Sequence, residues 1–230
     1  MATDQKQRNL SLGDVAVSRS SYVDPNGFVF EFEGSIYRAV TGNRDLYLEM
    51  LESGFFDRLS KNVGLVETGR APFRIDEVGC DLVLKHRRIE PESYCVEWPP
   101  SMLKEAALTT LALNLELADR DCWLQDAHPW NVLFDGPRPV FIDLTSIAPI
   151  ESNLPWQAYQ QFLSFFLNPL DLCTMGKGTI ARHLLFDVVV GIPQQELLLH
   201  KTASGILRHP LRHLSSMLAV KLAAGLAKDT

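Results

Sequence analysis

Alternation of apolar and polar residues is the first ordered pattern in the chain. Between Gly27 and Val40, Phe28, Phe30 and Phe32 alternate with other residues, Glu33-Gly34 interrupts, and Ile36, Arg38 and Val40 resume the period of two. That period on either side of a tight turn predicts a β-hairpin. Asp24-Pro25-Asn26-Gly27 just before it is a turn sequence whose Gly27 can adopt positive φ. A further strand around Val15–Tyr22 would complete a three-stranded N-terminal sheet. From Asn43 to Leu59 the spacing becomes helical, with Leu46, Met50, Phe55 and Leu59 on one side, and Ser53-Gly54 predicts a kink or an early end. Leu82–His86 reads as another strand. Pro91, Pro99 and Pro100 then bracket an irregular connection that marks a lobe boundary.

Ser101 is placed to cap a helix running to Asp119, apolar nearly all round and therefore expected inside a larger lobe. Short strand signals follow at Cys122–Gln125, Val132–Phe134 and Pro139–Asp143, with Asp135-Gly136-Pro137-Arg138 as the turn between the last two. From Pro155 onward Tyr159, Phe162, Leu163, Phe166 and Leu167 recur at helical spacing, and glycines at Gly176, Gly178 and Gly191 break the run into segments. Leu207, Leu211, Leu214, Leu218 and Leu222 face a basic side and predict a C-terminal amphipathic helix. Together these elements predict an α+β architecture. Residues 1–20 form a lead-in, 21–96 a small antiparallel sheet plus helix, and 97–230 a larger, mostly helical lobe.

Composition narrows the function classes. The chain has 230 residues, 46% hydrophobic, which describes a globular core rather than a disordered segment. Twenty-two basic against 28 acidic residues leave a net charge of −6, which argues against a duplex nucleic-acid binder. No apolar stretch reaches the ~20 residues of a membrane span, and no secretory signal is visible at the N-terminus, so a cytoplasmic protein is expected. The four cysteines show neither CxxC nor zinc spacing and read as reduced thiols. Gly176-Lys177-Gly178-Thr179 lacks the order of a phosphate-binding P-loop, and Pro210 between His209 and His213 argues against a zinc pair.

The chemistry concentrates in Trp123-Leu124-Gln125-Asp126-Ala127-His128-Pro129-Trp130-Asn131-Val132-Leu133-Phe134, followed by Val140-Phe141-Ile142-Asp143. Two acids and an amide arrive in the order strand, loop, strand, turn, strand. Phosphoryl transfer needs such a set: a carboxylate to orient the attacking hydroxyl, and hard oxygen ligands for Mg²⁺ across the phosphates.

The run D-x-H-P-x-N-V-L-F, then V-F-I-D, resembles the catalytic and metal-binding segments of the aminoglycoside-phosphotransferase branch of the protein-kinase-like fold. That resemblance implies a two-lobed kinase-like chain using ATP and Mg²⁺ on a small-molecule acceptor. Asp126 would be the catalytic base, and Asn131 and Asp143 the metal ligands. It also implies that the turn holding Asn26 and Gly27 covers the phosphates. Arg38 would stand where relatives carry the ATP-anchoring lysine, with Glu49 or Glu52 as its ion-pair partner. Leu124 departs from the histidine usual two residues before the acid, and a guanidinium fork is not interchangeable with an ammonium. Read from the residues alone, Arg38 is equally an exposed hairpin charge, and Glu49 and Glu52 a solvated helix face.

A narrower resemblance joins Glu97–Leu108, the Asp126 loop and Pro155–Phe162 to the N-terminal region of a bacterial nodulation-type, class I SAM-dependent methyltransferase family. It implies a methyltransferase domain or chain as a partner. No glycine-rich turn of the dinucleotide-binding type marks a SAM site in this chain. Two readings follow: an ATP-dependent phosphotransferase, or a non-catalytic module that binds a ligand or serves a methyltransferase.

Overall fold

A computed structural model describes residues 7–18, 24–151 and 155–201. The chain divides into two compact units, Met1–Phe162 and Leu163–Thr230. The first contains every residue of the predicted site.

The first unit starts with two short strands, β1 (Arg8–Asn9) and β2 (Ala16–Val17), and then the predicted hairpin, β3 (Gly27–Phe32) and β4 (Ser35–Val40). Its turn residues Glu33 and Gly34 have φ of 48° and 71°, the doubly left-handed geometry that matches strand twist in a two-residue hairpin. The broken helix follows as α1 (Arg44–Glu52) and α2 (Phe55–Asn62), separated where Gly54 takes φ 71°. After β5 (Thr68–Arg70) and β6 (Phe73–Arg74) comes β7 (Leu82–His86). The sheet has five strands in the order β2-β3-β4-β7-β5, all neighbours antiparallel: the three of the predicted N-terminal sheet, the strand predicted at Leu82–His86, and β5. Short β5 carries too little pattern to be read as a strand. Arg38 lies opposite Leu84, and Ile36 opposite His86. One face buries Phe30, Tyr37, Ala39, Ile75 and Val83 together with Leu10.

Helix α3 (Pro100–Ala118) starts two residues earlier than predicted. Its N-cap is Pro99, with Pro100 in the first turn, so Ser101 is not the cap. The expectation of burial all round is also corrected: Leu103, Ala107, Leu113 and Leu117 are buried, whereas Leu108 and Leu115 are exposed. Strand β8 (Cys122–Leu124) pairs with β11 (Ile147–Pro149), and β9 (Val132–Asp135) pairs with β10 (Arg138–Phe141) around Gly136. The last helical turn of this unit is α4 (Tyr159–Phe162).

In the second unit, α5 (Asn168–Thr174), α6 (Gly178–Leu184) and α7 (Gln194–His200) enclose Leu172, Ala181, Ile192 and Leu197. The predicted amphipathic helix over 207–222 lies outside the described residues. No described helix is long and apolar enough to cross a membrane.

Candidate functional site

The Asp126 loop is shaped by its own side chains. The backbone N–H of His128 donates to Asp126 Oδ1 at 2.9 Å, and Trp130 N–H donates to His128 Nδ1 at 3.1 Å. Asn131 N–H then donates to the His128 carbonyl at 3.0 Å, and Ile142 N–H donates to the Asn131 carbonyl at 2.8 Å. Gln125 N–H donates to the Ser146 carbonyl at 2.7 Å. These bonds tie the loop after β8 to the segment after β10, so Asp126, Asn131 and Asp143 are brought together by backbone pairing. Leu124, fully buried in β8, pairs with Ile147.

A cavity of about 870 Å³ opens between the sheet and this loop. Asp126, Asn131, Asp143, Arg38 and Asn26 all line it. Its size falls within the range of small-molecule sites. Tyr94 and Trp130 also line it, their rings stacked with centroids 4.7 Å apart.

Arg38 is the centre of the charged wall. Its side chain is only 6% exposed, which corrects the reading of an open hairpin charge. Nη1 meets Asp24 Oδ2 at 2.9 Å, and Nη2 meets Asp143 Oδ1 at 3.1 Å. Thr145 Oγ1 accepts from Arg38 Nη1, lies beside Asp24 Oδ2, and is 3.2 Å from Asp143 Oδ1. Tyr47 holds this segment from behind, its hydroxyl reaching the Thr145 and Ile147 carbonyls at 3.1 and 2.9 Å. Burial pushes the Asp143 carboxyl above its ordinary pKa, and the neighbouring Asp24 and Asp126 charges push the same way against Arg38.

Two expected contributors are elsewhere. Glu49 does not pair with Arg38: it forms an ion pair with Arg120 at 2.9 Å on the surface. Gly27 is buried in β3, where an added Cβ would lie 2.1 Å from the Ala39 carbonyl oxygen, so close strand packing accounts for the glycine. Three residues of the site escaped the sequence reading. Asp24 looked like a turn former, and its Oδ1 does accept from Asn26 N–H at 2.8 Å. Thr145 carries no signal beyond standing two residues after Asp143. His86 lines the cavity from the end of β7. Thr68 donates its single hydroxyl proton to the Val66 carbonyl at 2.9 Å and so accepts from His86 Nδ1, also at 2.9 Å. Burial, aided by the Arg38 charge, pulls the His86 pKa down to about 3.

The residues fit a nucleotide's metal and phosphates in donor chemistry. Mg²⁺ is commonly held by one or two protein oxygens plus phosphates. Asp143 meets Arg38 and Thr145 through Oδ1, so Oδ2 makes neither contact. The buried Asn131 Nδ2 lacks a hydrogen-bond partner among the described residues, a donor that a phosphate oxygen would satisfy.

No family model matches the chain. Over 159 residues it is 34% identical to the nodulation protein NoeA of Rhizobium meliloti (strain 1021), a match covering 65% of this chain and 32% of that protein. The chain thus spans about a third of that relative's length. Among solved structures, a double mutant of the Mycobacterium tuberculosis PknI kinase domain aligns with a TM-score of 0.40 and 12% identity, covering 70% of this chain and 76% of that one.

Proposed function

We propose that this chain has a kinase-like fold and is a phosphotransferase that binds MgATP in the cavity and acts on a small hydroxylated acceptor. One observation carries the reading: Asp126, Asn131 and Asp143 line a single cavity together with a buried arginine. Asn131 and Asp143 are the residues that would hold the metal. When bound, MgATP supplies the transferable phosphoryl group and neutralises its developing charge. Asp126, fixed through Oδ1 by the His128 amide, is the carboxylate that takes the acceptor's hydroxyl proton. Asn26 faces the same space from the turn before β3.

The test is ADP release with MgATP and a panel of sugars, polyols and hydroxylated amines. Asp126→Asn is expected to lower turnover by about 10²-fold or more while leaving ATP affinity unchanged, because a base acts in the transition state. Turnover retained in that variant would remove Asp126 from its role.

A second reading has its own support. Both terminal nitrogens of Arg38 are held by carboxylates, one of them the Asp143 proposed for the metal. A non-catalytic module that binds a ligand, or serves a methyltransferase partner, would tolerate that arrangement. MgATP binding without ADP release on any acceptor of the panel supports it.

A further inference from the structure

The resemblance expects Arg38 to be oriented by a helix glutamate and open toward phosphate. Neither holds. Asp24 Oδ2 occupies Nη1, Asp143 Oδ1 occupies Nη2, and the buried Nε has no partner among the described residues. With the side chain 6% exposed, Asp24, Thr145 and Asp143 take up three of the four terminal N–H groups, and both on Nη1 are spoken for. The two carboxylates keep more exposure, 20% for Asp24 and 25% for Asp143.

The two acids are anchored differently. Asp143 precedes a tight turn whose Ser146 N–H and hydroxyl both donate to the Asp143 carbonyl, at 3.3 and 2.9 Å, between β10, paired with β9, and β11, paired with β8. Asp24 precedes the hairpin, and the turn beside it is fastened through Asn26, whose carbonyl accepts from Thr41 and Gly42 N–H at 2.8 and 3.1 Å. Rotation about the Asp24 side chain therefore releases Oδ2 from Arg38 and Thr145 and Oδ1 from Asn26 N–H, while the bonds to the Asn26 carbonyl stay intact. The cavity wall carries five carboxylates, Asp24, Glu31, Glu92, Asp126 and Asp143, against the three guanidiniums of Arg38, Arg87 and Arg88, a balance that disfavours a polyanion beside Arg38 until Asp24 withdraws.

We propose that Asp24 is a built-in anion occupying the phosphate subsite of Arg38, and that a polyphosphate ligand binds by displacing the Asp24 carboxylate. The inference rests on the phosphate-binding reading of the cavity. A phosphate matches the guanidinium fork at least as well as a carboxylate does, so the exchange replaces one charge-assisted pair with another. Because only the fraction of molecules with Asp24 withdrawn is competent, its carboxylate lowers apparent affinity by that fraction.

Calorimetric titration with tripolyphosphate and with MgATP tests this on the wild-type chain, Asp24→Asn and Glu92→Gln. Glu92 lines the same cavity, so its amide removes the same charge without touching Arg38. Asp24→Asn is expected to tighten tripolyphosphate binding about tenfold, and Glu92→Gln by about twofold or less through general electrostatics. Equal effects in the two variants, weaker binding in Asp24→Asn, or no tripolyphosphate binding to any of the three proteins would overturn the proposal. Should Asp24→Asn fail to fold, the Asp24 side-chain carboxyl ¹³C resonance of the wild-type chain replaces it. A shift on adding tripolyphosphate is expected; bound tripolyphosphate with an unmoved Asp24 resonance contradicts displacement. The arms separate this inference from the nucleotide reading. Tighter tripolyphosphate binding in Asp24→Asn with no MgATP binding anywhere keeps the displacement and ends the nucleotide reading. Equal MgATP affinity in wild type and Asp24→Asn does the reverse.

Discussion

Arg38 and Arg120 are both held by carboxylates, and they sit in opposite environments. Arg120, 37% exposed, pairs with Glu49 and lies 4.6 Å over the Phe55 ring, where Arg58 also packs at 4.8 Å. Arg38, 6% exposed, is wedged between Asp24 and Asp143 on the wall of an 870 Å³ cavity. Water screens the first pair, and such exposed pairs add little to stability. The second is desolvated, so each charge depends on the others, and removing one leaves an uncompensated neighbour. Charge is kept in a buried wall at a cost that an ordinary surface would not bear. That contrast is the reason to look for chemistry at Arg38 rather than at the acidic face around Glu49.

The largest expected effect is that of Arg38→Ala, which leaves Asp24 and Asp143 adjacent without their cation. Urea unfolding should show a loss of about 3–5 kcal/mol, and a loss under about 1 kcal/mol would make Arg38 equivalent to a surface pair. Next comes His86, whose neutral form is favoured by burial on the same wall, with Arg38 as the charge facing it. Its folded pKa of about 3 lies below the ordinary 6.5, so the unfolded chain binds the extra proton between those values. Stability should therefore rise with pH through that window, with a deficit of about 2 kcal/mol at pH 5 relative to neutral. His86→Gln should flatten that slope in pH-dependent unfolding; an unchanged slope would place its origin elsewhere. The smallest effect is expected for Arg120→Ala, about 1 kcal/mol or less by the same unfolding measurement. A larger loss would show that the Phe55 stack holds α2 in place.

Much of this arrangement is legible in the sequence where local rules decide it. The hairpin follows from period-two aromatics and Glu33-Gly34, and the helix break from Gly54 at positive φ. The order of Asp126, Asn131 and Asp143 follows from turn residues between short strands. What the sequence hides is set by tertiary contact. Asp24 satisfies a turn pattern completely, so nothing announces that its second oxygen reaches Arg38, 14 residues on. Thr145 joins the same network across 121 residues. Glu49 has helical spacing suited to an inward pair, yet α1 presents it to Arg120. Gly27 resembles a phosphate-loop glycine and is explained by the approach of Ala39. Ser101 loses the cap to Pro99 because Pro100 already suits the first helical position.

The wall of Asp126, Asn131, Asp143 and Arg38 is proposed to receive a metal-bound nucleotide. Thermal unfolding with increasing ATP, with and without Mg²⁺, tests it most directly on the wild-type chain and on Asp143→Ala. Stabilisation of about 2.7 kcal/mol is expected at 100 times the Kd with Mg²⁺ present, and its loss in Asp143→Ala. No Mg²⁺-dependent shift in the wild-type chain, or the same shift in both proteins, would contradict it.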